Sequence, residues 1–405
     1  MNYLIAALCF LLSQVAIGSS VEWTQSELRV IESLSITRLP RLPASPSNRY
    51  ADNKLAQALG KQLFFDTRFS GNKKLSCASC HQPDKFFTDG LPRAVGVNAT
   101  GRNTTSVVGS GWQRWFYWDG RKDSLWSQAL IPFEAPDEMG SSRVAVIQKV
   151  MGDKGYSQQY RQIFGRFPAV LHKAELPEDA GPLGNPTFQD HWHRLPKQIK
   201  QAVNSVYVNL GKSLAAYQRT LVYKPTKFDR YVEQLKTGNK TDKPILDNEE
   251  VSGLRLFIND ERSQCLQCHN TALLSNRGFH NVGSGNFSGE RLDFGRVFGL
   301  QAVLLDEFNC RGSYSDARPD QCSALKFLNK SAHIPLQGAF KTPPLRNVSQ
   351  TAPCFHDGRF GTLKEVIEFY NNPPVSNGEH ELLPMDLNES EIDQLVRFLE
   401  TLADS

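Results

Sequence analysis

Cys77-Ala78-Ser79-Cys80-His81 and Cys265-Leu266-Gln267-Cys268-His269 are two copies of one pattern. Two thiols separated by two residues and followed at once by an imidazole form the attachment signal for a c-type haem. Cys77 and Cys80, and again Cys265 and Cys268, would close thioether bonds onto the haem vinyl groups. His81 and His269 would then be held as axial ligands of the iron. Zinc is the rival, because paired cysteines also build tetrahedral sites. The two pairs lie far apart, however, and each carries its own His. A chain of 405 residues with 8 Cys and 9 His makes two chance matches untenable. Two covalently bound haems are expected.

The rest of the composition suits an exported globular protein. Hydrophobic residues are 40% and charged residues 22%, ordinary for a globular chain. The net charge of +4, with no Lys/Arg block, gives no reason to expect nucleic acid. Residues 1–18 read as a signal peptide, with an apolar run from Leu4 to Leu12 too short to span a bilayer and small residues Ala16 and Gly18 before a cleavage point. An uncleaved anchor is the alternative, since that stretch lacks Lys and Arg. No later stretch is a transmembrane candidate. Covalent haem and export agree, and the expected location is the periplasm. There Cys310 and Cys322, flanking a polar loop, could form a disulfide or stay as two thiols.

The elements that must carry the haems are helical. Residues 19–50, with Pro40, Pro43 and Pro46, read as an extended arm, and 53–66 as a helix leading to the first motif. Residues 143–235 read as largely helical, with His191 and His193 as surface residues. Residues 236–247 read as a linker, and a helix begins near Asn248 before the second motif. Ile392, Leu395, Val396, Leu399 and Leu402 mark a closing helix. The expected division is 1–18 signal, 19–240 first haem domain and 241–405 second haem domain.

The two halves repeat one order of landmarks. Gly60-Lys61-Gln62-Leu63-Phe64 precedes the first motif, and Gly253-Leu254-Arg255-Leu256-Phe257 the second. Arg102-Asn103 and Arg346-Asn347 follow. Then come Trp118-Asp119-Gly120-Arg121 and His356-Asp357-Gly358-Arg359, each with a Leu four residues on. The fold class expected is mainly α, with two cytochrome c-like haem domains related by a pseudo-twofold repeat. The second half holds a long extra segment between His269 and His356, containing Cys310 and Cys322.

This pattern resembles the bacterial dihaem cytochrome c peroxidase and MauG family over nearly all of the mature chain. The resemblance implies that the first haem, on His81, reacts with hydrogen peroxide. It implies Gln128 and the acid–base Glu138 on the distal side, and Trp118 between the haems. It implies that the second haem, on His269, passes electrons and takes Tyr370 as its other ligand, where typical peroxidases have Met and MauG has Tyr. Asn103, Thr351 and Pro353 match positions that hold a calcium ion. Typical peroxidases also carry a His in the loop after the first motif. Here His172 is the sole His between Gln82 and Asp190, so the first haem is expected to be five-coordinate and open. Cys354 stands where the family usually has an aromatic residue.

Read without the family, Trp118 lies among Trp112, Trp115, Phe116 and Tyr117, which would ordinarily be packing. Glu138 would be a loop acid and Tyr370 a buried helix aromatic. In the enzyme reading, Glu138 moves protons if burial raises its pKa, and Gln128 donates a hydrogen bond without titrating. The functional expectation is a hydrogen-peroxide-dependent oxidase of the MauG type acting on a protein or other donor. The alternatives are a peroxidase drawing electrons from a small cytochrome or cupredoxin, and a non-catalytic dihaem carrier.

Overall fold

The computed structural model describes residues 22–238, 243–285, 293–328, 336–374 and 380–404; the expected signal segment lies outside them. The chain is mainly helical, with one two-stranded pairing of Phe279–His280 against Phe340–Lys341. No helix among the described residues is long and apolar enough to cross a membrane.

Each half is built on one pair of crossing helices. In the first half, Lys54–Phe65 is capped by Asn53, whose side chain accepts from Ala56 N. Ala56, Leu59, Gly60, Leu63 and Phe64 fall on one face and are buried. That face crosses Lys197–Gln218. In the second half, Asn248–Phe257 starts with an Asp247–Glu250 capping box and crosses Glu389–Glu400, which starts with an Asn388–Glu391 box. Both crossings need a glycine. A Cβ on Gly60 would lie 1.9 Å from Ser213 O, and one on Gly253 would lie 1.9 Å from Gln394 O. Gly253→Ala is therefore expected to force these helices apart and cost about 1–3 kcal/mol or more. A thermal unfolding curve matching that of the parent protein would contradict this.

The Asp-Gly-Arg turns repeat in detail. Phe116 bridges to Lys122 and Cys354 to Phe360. Tyr117 and Phe355 take φ of 65° and 72°, and Gly120 and Gly358 take 67° and 66°. Arg121 and Arg359 pair with Asp119 and Asp357. Short helices then begin at Leu125 and Leu363 behind Ser124 and Thr362 caps. The halves meet through these turns. Gly120 abuts Phe279 and Arg296 of the second half, and Gly358 abuts Pro92 of the first. Backbone hydrogen bonds Asn103 N to His356 O and Lys341 N to Trp118 O, both 2.8 Å, cross the same boundary.

Three placements differ from the sequence reading. The arm contains a helix, Gln25–Leu34, started by a Thr24–Glu27 capping box; its Ile31 and Leu34 are fully buried in the second core. The helix Lys227–Thr237 also packs there, through Phe228, Tyr231 and Val232. We accordingly propose that the division in the chain falls between Gln218 and Lys227, earlier than the expected 240/241. The extra segment of the second half lies on the first half, with Phe308 in the first core. Its Asp306 carboxylate accepts from Lys122 Nζ at 2.6 Å and Ser127 Oγ at 2.9 Å. Cys310 and Cys322 are joined as a disulfide.

Candidate haem sites

Each attachment motif is a single helical turn, Cys77–Cys80 and Cys265–Cys268, with the His as its C-cap. His81 N donates to Cys77 O at 2.9 Å and His269 N to Cys265 O at 2.8 Å. The chain then folds back through left-handed residues, Phe86 and Phe87 in one copy and Thr271 and Leu274 in the other. This returns a carbonyl to each imidazole: His81 Nδ1 donates to Phe87 O and His269 Nδ1 to Leu274 O, both at 3.0 Å. With Nδ1 committed, Nε2 is the nitrogen left for a metal. Burial lowers the pKa of His81, and that of His269 to about 4. Burial thus favours in both the neutral imidazole that ligation requires. No group of three or more His, Cys, Asp or Glu suited to a metal occurs among the described residues. Two thiols plus one imidazole at each motif suit a haem.

A cavity of about 500 Å³ adjoins the first motif, with Cys77, Cys80 and His81 in its wall. Trp118, Gln128 and Glu138 line it too. So do Asn103 from the first half and Thr351 and Pro353 from the second. Gln128 ends the helix Leu125–Gln128, and its carbonyl accepts from Tyr117 Oη at 3.3 Å. Glu138 is fixed by the loop that lacks a histidine: Val97 N donates to Glu138 O at 2.8 Å and Asn98 N to Asp137 O at 3.1 Å. A Cβ on Gly96 would sit 2.4 Å from Glu138 O, so this approach needs glycine. Burial raises the Glu138 pKa; Arg121 opposes the rise and Asp137 adds to it. Trp118 Nε1 donates to Asn103 O at 3.1 Å.

Tyr370 is placed at the second motif. It lies on the helix Leu363–Asn371, close enough to Cys268 and Cys265 to feel their thiols. Burial first, then those thiols, hold its phenol well above the ordinary value. A phenolate there would require a cation against its oxygen. Met385 packs in the second core. His356 stacks on Phe340 at 3.7 Å and is 4.0 Å from Asp293, both in its own half, while its carbonyl accepts from Asn103 N of the first half. Cys354 occupies in its turn the place of Phe116 and lines the first cavity.

Tyr117 and Arg121 were missed as cavity residues. The guanidinium lies 3.5 Å from the Tyr117 ring centroid, and both side chains belong to the cavity wall. Arg121 had registered only as a repeat landmark, and Tyr117 only as one aromatic in a cluster.

The family model described as di-haem cytochrome c peroxidase matches residues 54–237. The methylamine utilization protein MauG of Methylorubrum extorquens is 30% identical over 397 residues, covering 96% of this chain and 88% of that protein. The chain belongs to the dihaem cytochrome c peroxidase and MauG family. Within that family, the cytochrome-c peroxidase IdrP1 of Pseudomonas sp. (strain SCT) is 28% identical, covering 97% of this chain and 92% of its own. The diheme peroxidase BthA from Burkholderia thailandensis shares the fold, with a TM-score of 0.63 at 21% identity, over 89% of each chain. Membership makes this chain an oxidoreductase and implies two c-type haems, for which both attachment motifs are intact.

Proposed function

We propose that this is a MauG-like enzyme that reacts with hydrogen peroxide at the first haem and oxidises a protein or other donor through the second, in the periplasm after loss of residues 1–18. The observation that carries this reading is one cavity wall: Glu138, Gln128 and Trp118 share it with His81, and the loop that could bring a blocking histidine instead clamps Glu138.

Haem, when bound at these motifs, supplies the redox-active iron. The chain's own groups do the rest. Cys77, Cys80 and His81 hold the first haem; Cys265, Cys268, His269 and Tyr370 hold the second. Burial makes Glu138 keep its proton to a higher pH than an exposed carboxyl, which suits a group that takes and returns a proton. The Gln128 side-chain amide offers a hydrogen bond that pH does not alter. Tyr117, bonded to Gln128 O, keeps that helix end in place. Trp118 is pinned at both ends, by its indole to Asn103 O and by its carbonyl to Lys341 N. An aromatic ring so fixed between the halves suits electron passage. Asn103 from the first half and Thr351 and Pro353 from the second line one cavity; in this reading their oxygens would hold calcium, with waters completing the shell.

The test is electron paramagnetic resonance on the oxidised protein. The expected result is one high-spin ferric signal, from the His81 haem, and one low-spin signal. Two low-spin signals would overturn the open-haem reading. Tyr370→Met should raise the midpoint of the low-spin haem, since thioether ligation favours the reduced state. An unchanged midpoint would remove Tyr370 from the ligand set.

A further inference from the structure

Lys341 is a half-buried lysine that the catalytic reading does not use. It is the last residue of the short strand Phe340–Lys341 in the second half, and its N–H donates to Trp118 O. Its side chain reaches into the wall of the cavity that holds His81. Among the described residues its ammonium has one hydrogen-bond partner, Gln113 Oε1 at 3.3 Å, and no carboxylate within ion-pair distance. Two lysines more deeply buried than it each face an acid: Lys122 meets Asp306 at 2.6 Å and Lys212 meets Asp316 at 2.8 Å. Burial alone brings Lys341 down to about 8. Beside it on the same wall, Ser110 Oγ is buried and has no partner; Gln113 N donates to Ser110 O at 3.0 Å, which ties the two positions together.

A charged donor whose one acceptor is a neutral amide, beside a neutral donor with no partner, describes a site for an anion. A c-type haem brings one. Its vinyl edge is fixed by the cysteines, and its opposite edge carries two propionate carboxylates. We propose that Lys341, reaching across from the second half, pairs with a propionate of the first haem, with Ser110 as a second donor. This rests on the reading that Cys77–His81 hold that haem. It makes the first site incomplete without the second half. The strand that fixes the Trp118 carbonyl also neutralises the edge of the reactive haem.

The experiment compares the full-length holoprotein with Lys341→Met, Lys341→Arg and Ser110→Ala. Spectroelectrochemistry reads each haem's midpoint, and resonance Raman reads the propionate bending mode. Loss of the cation favours the ferric state, so Lys341→Met should lower the midpoint of the high-spin haem and shift its propionate mode. The low-spin haem should stay as it is. Lys341→Arg should keep the parent values, and Ser110→Ala should shift the propionate mode in the same direction. Parent values in folded Lys341→Met overturn the proposal. Should Lys341→Met fail to fold, an unshifted propionate mode in Ser110→Ala with parent values in Lys341→Arg overturns it. If the parent midpoint moves with added acetate and that response vanishes in Lys341→Met, the partner is a free carboxylate and the propionate assignment is wrong. A pyridine haemochrome assay giving one haem per chain would instead overturn the haem placement on which the proposal rests.

Discussion

Glu138→Gln is expected to slow the reaction with peroxide by about 10²–10⁴-fold, the usual worth of a positioned acid–base group. The high-spin ferric spectrum should survive, because the side chain is not an expected iron ligand. The effect has a pH signature. Burial raises the folded-state pKa of Glu138 above the ordinary carboxyl value. As a base it must be ionised, so the rate should climb with pH through that raised value and level off above it. In Glu138→Gln this acid limb should disappear. Arg121 holds the pKa down against burial, so Arg121→Leu should move the limb to higher pH. Stopped-flow rates from pH 4 to 8 check both, a window chosen to bracket the ordinary glutamate value of roughly 4.3. Full peroxide reactivity in Glu138→Gln would remove this residue from the mechanism.

Asp306→Asn is expected to destabilise the protein strongly. Asp306 and Lys122 are both more than nine-tenths buried and 2.6 Å apart. Removing the acid's charge strands a buried ammonium, which costs about 3–5 kcal/mol. The loss should fall on the first site. Asp306 also holds Ser127, the neighbour of Gln128, and Cys310 N of the same segment donates to Asp123 Oδ2 at 2.8 Å. Adding Lys122→Met to Asp306→Asn removes the stranded charge and should restore most of the stability. Chemical denaturation, followed separately at the high-spin and low-spin haem bands, tests this. A double variant no more stable than Asp306→Asn alone would show that the pair is not the cause.

What could be read in the sequence was local. A haem motif needs only five neighbouring residues, and the Asp-Gly-Arg turns recur with their glycines because each requires positive φ at that point. Gly60 and Gly253 were visible as a repeat, but the helix crossings that demand them were not. The Gln25–Leu34 helix has a local signal in its Thr24–Glu27 box, overshadowed by the prolines that follow. Its destination in the second core has no local signal, because Ile31 and Leu34 share that core with Leu254 and Phe398 only through the fold. The same holds for the extra segment. Its charges, Asp306 and Glu307, find Lys122 and Arg143 across the halves. Arg121 and Lys341 could not be recognised as cavity residues, since a lone cation in sequence looks like a solvated one. Gln128, Glu138 and Tyr370 came from the family resemblance and not from pattern. The cavity wall brings Gln128 and Glu138 beside the first motif, and Tyr370 lies near Cys265 and Cys268; their roles are the proposal made above.

The central claim is that the first haem is open and ready in the oxidised protein. The most direct test mixes fully ferric protein with one equivalent of hydrogen peroxide, without reductant, and follows both haem bands by stopped-flow absorbance. The expected result is that both bands change together, because Trp118 links the halves and Glu138 is already in place. If neither band changes until one haem has first been reduced, the first haem is blocked in the resting state and the MauG-like account is wrong.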